Sequence, residues 1–251
     1  MLENINLTRV LFLDIECVST TPTFDELSDN MKELWKIKSK YLLRHLPPDE
    51  ITDEHYAGTF KEKAAIYAEF GKVMCISVGF ITYDENKQPK LRLKSFAGED
   101  EKAVLEGFCN LLNKHYENPN NSYLCGHNIK EFDIPYICRR LVVHQLDFPA
   151  VLQLQGKKPW ETKHLLDTME MWKFGDYKSY TSLKLLAEIL GFPSPKDDID
   201  GSDVGRVFWE ENDIDRISLY CEKDVLATVQ LMLRYRRQPL LEEGQIVHVR
   251  Q

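Results

Sequence analysis

The chain has 251 residues, 43% of them hydrophobic, and a net charge of −8. It is long enough to bury a full core, and its acidity argues against a protein that grips nucleic acid by bulk electrostatics, because such domains carry a basic excess. The six cysteines, at 17, 75, 109, 125, 138 and 221, form no C-x-x-C pair, no export-type leader opens the sequence, and no apolar run nears the roughly 20 residues needed to cross a bilayer. The expectation is a single cytoplasmic domain with reduced thiols and no membrane contact.

In chain order, strand and helix patterns alternate as in an α/β domain. Residues 9–16 read as a first strand, 73–80 as a second and 91–96 as a third, the last two joined by a polar turn at Asp84-Glu85-Asn86. Between the first two strands, residues 18–72 form an insertion, with apolar residues such as Phe24, Met31, Leu34, Trp35 and Ile37 spaced for one or two amphipathic helices. There Lys36, Lys38, Lys40 and Arg44 interleave with Trp35 and Tyr41. That mixture could contact a nucleic-acid strand, but a helix with a wet cationic face and packed aromatics explains it better. Val104, Leu105, Phe108, Leu111 and Leu112 mark a helix over residues 101–116, followed by a short strand at 122–126, a helix at 134–144, a strand at 164–169 and a helix at 182–190 stopped by Gly191 and Pro193. A long helix over residues 214–235 closes the domain.

Three places in this layout carry chemistry. Asp14-Ile15-Glu16 sits at the end of the first strand, where residues i and i+2 face the same way, so two acids share a cleft while Ile15 turns to the core. Such neighbours do not both stay ionised without a cation between them, which suits Mg²⁺ or Mn²⁺, although D-x-E alone is common by chance. The second place is the strand-to-helix junction from Asn128 to Asp133, where an N-cap role explains Asp133 alone but leaves Asn128 and Phe132 unexplained. The third is Tyr220 and Asp224, four apart on one face of the last helix. Asp224 interrupts an apolar run and needs a metal or a basic partner such as Lys223.

Together these motifs resemble the three exonuclease motifs of the DEDD superfamily of 3′–5′ exonucleases, in its Tyr-containing subclass. D-x-E is matched by Asp14 and Glu16, the Asn-to-aromatic-Asp motif by Asn128, Phe132 and Asp133, and Y-x-x-x-D by Tyr220 and Asp224. The chain resembles the proofreading exonuclease domain of family B DNA polymerases, where a first motif reading D-I-E-C is also familiar, and stand-alone bacterial proteins related to it. That resemblance implies a ribonuclease H-like α/β fold, a mixed five-stranded sheet with flanking helices and, here, a helical insertion after the first strand. It also implies two ions, Mg²⁺ or Mn²⁺. Asp14 would bridge both, Glu16 and Asp224 would complete the site of the ion that activates water, and Asp133 would hold the second. Tyr220 would orient the water, and Asn128 and Phe132 would touch the terminal nucleotides.

Other polar residues have simpler explanations. Asp167 fits a strand-end cap, His127 and His164 fit satisfied structural histidines, and the basic run 234–237 fits a helix C-terminus. The leading functional expectation is exonuclease action on the 3′ end of single-stranded DNA, including frayed ends in repair. An exoribonuclease and a non-catalytic nucleic-acid-binding module are the alternatives. A part in proofreading would require a separate polymerase or repair partner.

Overall fold

The structure, a computed structural model, describes residues 2–176, 180–194 and 198–249. The chain runs through β1 (Val10–Ser19), α1 (Asp29–Ser39), a 3₁₀ turn at Lys40–Leu43, α2 (Asp53–Lys63), β2 (Gly71–Tyr83) and β3 (Pro89–Ala97). It continues through α3 (Glu101–His115), β4 (Tyr123–Gly126), α4 (Asp133–Val143), β5 (Leu165–Asp167), α5 (Thr168–Lys173), α6 (Leu183–Leu190), the single turn α7 (Val204–Arg206), α8 (Ile214–Tyr235) and β6 (Ile246–His248). Helix ends carry the expected signals. Asp100 accepts the Lys102 and Ala103 N–H groups at the start of α3, and Gly191 ends α6 in the left-handed conformation, φ 66°.

The strands form one mixed sheet in the order β5-β4-β1-β2-β3-β6. β1–β2 and β2–β3 are antiparallel, while β4 pairs parallel to β1, β5 parallel to β4 and β6 parallel to β3. The sheet thus has six strands rather than the expected five, and α8 does not close the chain. The three residues of β6 are too few to show a period of two, and they become a strand only because the edge of β3 is open to pair with them.

Side chains alternate along β1 as a strand requires. Leu11, Leu13 and Ile15 pack with Phe108 and Leu112 of α3 and Ile137 and Leu141 of α4. Val10 and Phe12 face the other way, against Val225, Val229 and Leu233 of α8. The even positions lie under α8, so Asp14 and Glu16 do too. Close approach of that helix depends on Gly79, where an added Cβ would fall 2.8 Å from Val225 Cγ1. Val225 follows Asp224 directly, so the bare backbone of β2 fixes how near Asp224 comes to β1.

The inserted segment has a small core of its own. Trp35 is fully buried, with ring centroids 5.3 Å from Phe60 and 5.0 Å from Phe70, among Phe24, Leu27 and Ala64. Buried polar bonds hold its last turns against α4. Tyr136 Oη donates to the Ala65 carbonyl (2.9 Å), and Arg140 Nη1 donates to the Ala68 carbonyl (2.8 Å). Arg140 also grips Glu101 of α3 through two bonds, Nε to Oε1 (2.8 Å) and Nη2 to Oε2 (2.6 Å), while Glu101 accepts the Val73 N–H (2.7 Å) and lies 2.7 Å from His144 Nε2.

Removing one partner of a buried ion pair strands the other, so Glu101→Gln is expected to lower the unfolding free energy by about 3–5 kcal/mol in urea melts at neutral pH. Burial works against the Glu101 carboxylate, but hydrogen bonds from Arg140, His144 and Val73 hold it below the usual range. A depressed carboxyl pKa adds stability above the unfolded value of about 4.3 and loses it as pH falls through the folded value. The stability gap between wild type and variant is therefore expected to close in acid.

Candidate active site

Asp14, Glu16, Asp133 and Asp224 line one cavity of about 420 Å³, together with Ile15, Ile66, His127, Asn128, Phe132 and Tyr180. Three separate segments deliver the acids: β1, the first turn of α4, and α8. No Lys or Arg lines this cavity among the described residues.

Each acid is placed by a local device. β4 pairs with β1 only as far as Phe12, so the edge of β1 beyond it has no strand neighbour on that side. Asp133, buried at the head of α4, fills that gap by accepting the Ile15 backbone N–H as well as its own. Its carboxylate therefore binds the strand that carries the other two acids. The loop before it is fixed by Asp167, which accepts four N–H groups, from Asn128 (3.1 Å), Lys130 (3.1 Å), Met169 (2.9 Å) and Glu170 (3.1 Å). Asp167 is thus the cap of α5 and the anchor of the 128–130 turn, in which Asn128 takes the left-handed conformation at φ 70°. Phe132 divides between two roles, its ring 5.5 Å from that of Tyr136 and its edge on the cavity.

On α8, Tyr220 is buried among Val18, Met74 and Phe208 and meets the cavity through Asp224, which lines it. Burial first, then the charges of Asp224, Glu16 and Asp14, raise its phenol far above the ordinary pKa, and it hydrogen-bonds Asp224 one turn on. Tyr220 is a neutral hydroxyl here.

Crowding of the acids shows in their proton affinity. Asp14 is lifted well above the usual carboxylate range by burial, then by Asp224, Asp133 and Glu16. Asp133 is pushed up to about 7 by burial, partly offset by the two backbone N–H groups and helped by Asp167 and Asp224. A cation would relieve this repulsion, and an all-carboxylate oxygen set suits hard ions such as Mg²⁺ or Mn²⁺.

Several residues of the site gave no separate signal in the sequence. Cys221 Sγ lies 3.4 Å from the Asp14 carbonyl and 3.5 Å from Asp14 Oδ2, and a ligand atom each from Asp14, Glu16 and Cys221 lie within 4.8 Å of one another. A cysteine in an apolar stretch reads as a small hydrophobe, and only the fold sets this one against an acid. Ile66 and Tyr180 flank the cavity from segments far apart in sequence. His127 bonds Thr168 Oγ1 (3.0 Å) through Nδ1 and the Thr181 carbonyl (2.9 Å) through Nε2, tying the loop of Tyr180 to the end of β4. His164 meets the Val151 carbonyl (2.9 Å), a structural bond away from the cavity. A larger cavity of about 870 Å³ lies beside the N-terminal turns of α8, but its buried acid, Glu222, is satisfied by Ser95 (2.9 Å) and His248 (2.5 Å) and none of the four clustered carboxylates reaches it.

An α/β fold with a mixed sheet and a carboxylate-lined cavity beside the middle of its central strand defines the class. Residues 66–244 match the family described as predicted 3′-5′ exonuclease related to the exonuclease domain of PolB, and the chain belongs to that family. The match starts at Ile66, so Asp14 and Glu16 lie outside it and are joined to the other acids by the fold. The family B DNA polymerase from the hyperthermophilic archaeon Pyrobaculum calidifontis shares the fold, with a TM-score of 0.54 at 15% identity over 91% of this chain. The chain spans 24% of that polymerase. No curated protein matches the sequence. Among the described residues no helix is long and apolar enough to cross a membrane.

A carboxyl whose folded pKa is raised opposes folding once it must ionise, so the metal-free protein loses stability as pH climbs from the unfolded value toward the folded one. Asp14→Asn removes one repelling charge. It is expected to raise the unfolding free energy measured in urea melts with chelator at mildly alkaline pH, and to leave it little changed in acid, where the wild-type carboxyl is already protonated. Thermal melts with and without Mn²⁺ check the rest: wild type gains melting temperature on adding the ion, and Asp14→Asn loses most of that gain.

Proposed function

We propose that the chain is a metal-dependent 3′–5′ exonuclease that removes nucleotides from the 3′ end of single-stranded DNA. The observation that carries this reading is the gathering of Asp14, Glu16, Asp133 and Asp224, from three distant segments, onto one cavity. These residues would hold two Mg²⁺ or Mn²⁺ ions, Asp14 shared between them, Glu16 and Asp224 with one and Asp133 with the other. Such ions, when bound, lower the pKa of an attacking water and offset the charge that builds on the attacking and leaving oxygens.

The remaining work falls to the protein. Tyr220 is held neutral and bonded to Asp224, so its hydroxyl would orient a water beside that carboxylate by hydrogen bonding rather than take its proton. Asn128 and Phe132, which line the cavity, would hold the terminal sugar and base. A cavity of about 420 Å³ falls in the range that encloses one small ligand, which favours a single unpaired nucleotide over a paired end. The DNA preference is supported by the kinship of the family with the exonuclease domain of a DNA polymerase. No cationic surface lines the catalytic cavity among the described residues, so affinity for the acidic substrate would depend on the ions and on basic residues further out.

The test is digestion of 5′-labelled single-stranded DNA and RNA of one sequence, with Mg²⁺, with Mn²⁺ and with chelator. The expected outcome is a metal-dependent ladder shortening from the 3′ end of DNA, absent in the Asp14→Ala, Asp224→Ala double variant. A ladder on RNA alone would transfer the reading to an exoribonuclease, and no cleavage of either would leave a non-catalytic binding module. Tyr220→Phe is expected to lower kcat by about 10–100-fold, as for residues that orient groups around a metal, with little change in KM.

A further inference from the structure

The inserted segment presents a surface that its own packing does not explain. Trp35 and Ser39 of α1 are buried, but Leu34, Ile37, Lys38 and Tyr41 recur at i, i+3, i+4 and i+7 on the opposite side, a stripe that faces solvent. Ile37 is 73% exposed and Tyr41 53%. Tyr41 Oη hydrogen-bonds Tyr67 Oη, and Tyr67 adjoins Ile66, which is 49% exposed and lines the carboxylate cavity. The stripe is therefore continuous with the rim of the site.

Its charge is opposite to that of the chain. Between residues 32 and 44 stand Lys32, Lys36, Lys38, Lys40 and Arg44 against Glu33 alone, in a protein of net charge −8. Lys36 is committed to Glu33 (3.1 Å) and Asp53 (2.8 Å), and Lys38 lies 3.9 Å from Glu69 with its ammonium 4.9 Å from the Tyr67 ring. Lys40 and Arg44 form no ion pair among the described residues. Exposed aromatic and aliphatic surface interleaved with uncommitted cations, leading to a phosphodiesterase cavity, matches what a single strand offers: base faces and phosphates in alternation.

We propose that this stripe, Leu34, Ile37, Lys38, Tyr41 and Arg44 with Ile66 at its inner end, is the track along which single-stranded DNA lies as its 3′ nucleotide enters the cavity. The proposal rests on the exonuclease reading. Tyr41 stacks a base upstream of the scissile bond, Ile37 and Leu34 cover the next, and Lys38, Lys40 and Arg44 meet phosphates.

The test uses the full chain and the variants Ile37→Ser, Tyr41→Ala and Arg44→Gln, all at exposed positions, with melting temperatures checked against wild type. Binding of a fluorescein-labelled oligodeoxynucleotide is followed by anisotropy across a salt series, with Ca²⁺ in place of Mg²⁺, and kcat/KM is measured on a long oligonucleotide and on a dinucleotide. Tyr41→Ala is expected to weaken binding about five-fold or more, as for loss of one base–aromatic stack, and to lower the long-to-short ratio of kcat/KM similarly. Arg44→Gln is expected to reduce the magnitude of the log–log salt slope by about 0.7, one single-strand phosphate contact. Unchanged affinity, ratio and slope in a wild type that does cut DNA would overturn the track and leave the nuclease intact. So would light scattering that shows a dimer broken by Ile37→Ser with DNA binding unaffected, since the stripe would then join two copies. A wild type that neither binds nor cuts would remove both readings together.

Discussion

Mutual repulsion among four carboxylates is the constraint to which this fold answers. Left to themselves, acids crowded onto one small cavity would spread apart or take up protons, and the raised pKa values of Asp14 and Asp133 show the second tendency already at work. Only a frame stiff enough to resist the first tendency keeps them where a cation can bind. The central strand supplies two of the acids on one face with Ile15 locked into the opposite core between them, so neither can turn away without pulling an apolar side chain from its packing.

Of the other two acids, Asp133 is held by a bond that would otherwise serve regular structure, and Asp224 by the close seating of its helix. β4 ends early, and the backbone group of β1 that it leaves open becomes the donor for Asp133. Asp167 spends its carboxylate on four backbone N–H groups and so fixes the turn from which α4 departs. Across the sheet, Gly79 lets α8 settle close enough for Cys221 to touch Asp14. Acids that look catalytic and acids that look structural are thus interdependent: Asp167 accepts N–H groups so that Asp133 can face the cavity.

Much of this was legible from the residues. Alternating and 3.6-residue periodicities located the five strands and the main helices, and the i, i+2 and i, i+4 spacings identified pairs that do share a face, because those relations are set by local geometry alone. Relations set by long-range pairing were not legible. β1 runs on to Ser19 and β2 from Gly71 to Tyr83 because each stabilises the other's ends, and β6 exists only as a partner to β3. Trp35 and Tyr41, six residues apart in one basic stretch, looked alike as aromatics among lysines, yet one is the centre of a small core and the other lies open on the surface. The contact of Cys221 with Asp14 and the approach of Ile66 and Tyr180 depend on elements brought together from across the chain, for which a single sequence carries no periodic signature.

The inserted segment is joined to the frame of the acids by the same helix that carries Asp133. Asp133, Tyr136 and Arg140 stand at i, i+3 and i+7, one stripe of α4. Its first residue meets β1 at the cavity, while the next two hold the carbonyls of Ala65 and Ala68 on either side of Ile66. A shift of α4 along its axis would therefore move an acid of the site and the rim of the site together, preserving their relation. Arg140 is suited to this post where lysine is not, because one planar guanidinium satisfies both oxygens of Glu101 and a backbone carbonyl at once, which a single ammonium cannot do in that geometry. The bonds of Tyr136 and Arg140 to the Ala65 and Ala68 carbonyls set the register between α4, which carries Asp133, and the inserted segment, and the ion pair with Glu101 of α3 holds Arg140 in the orientation that makes this possible.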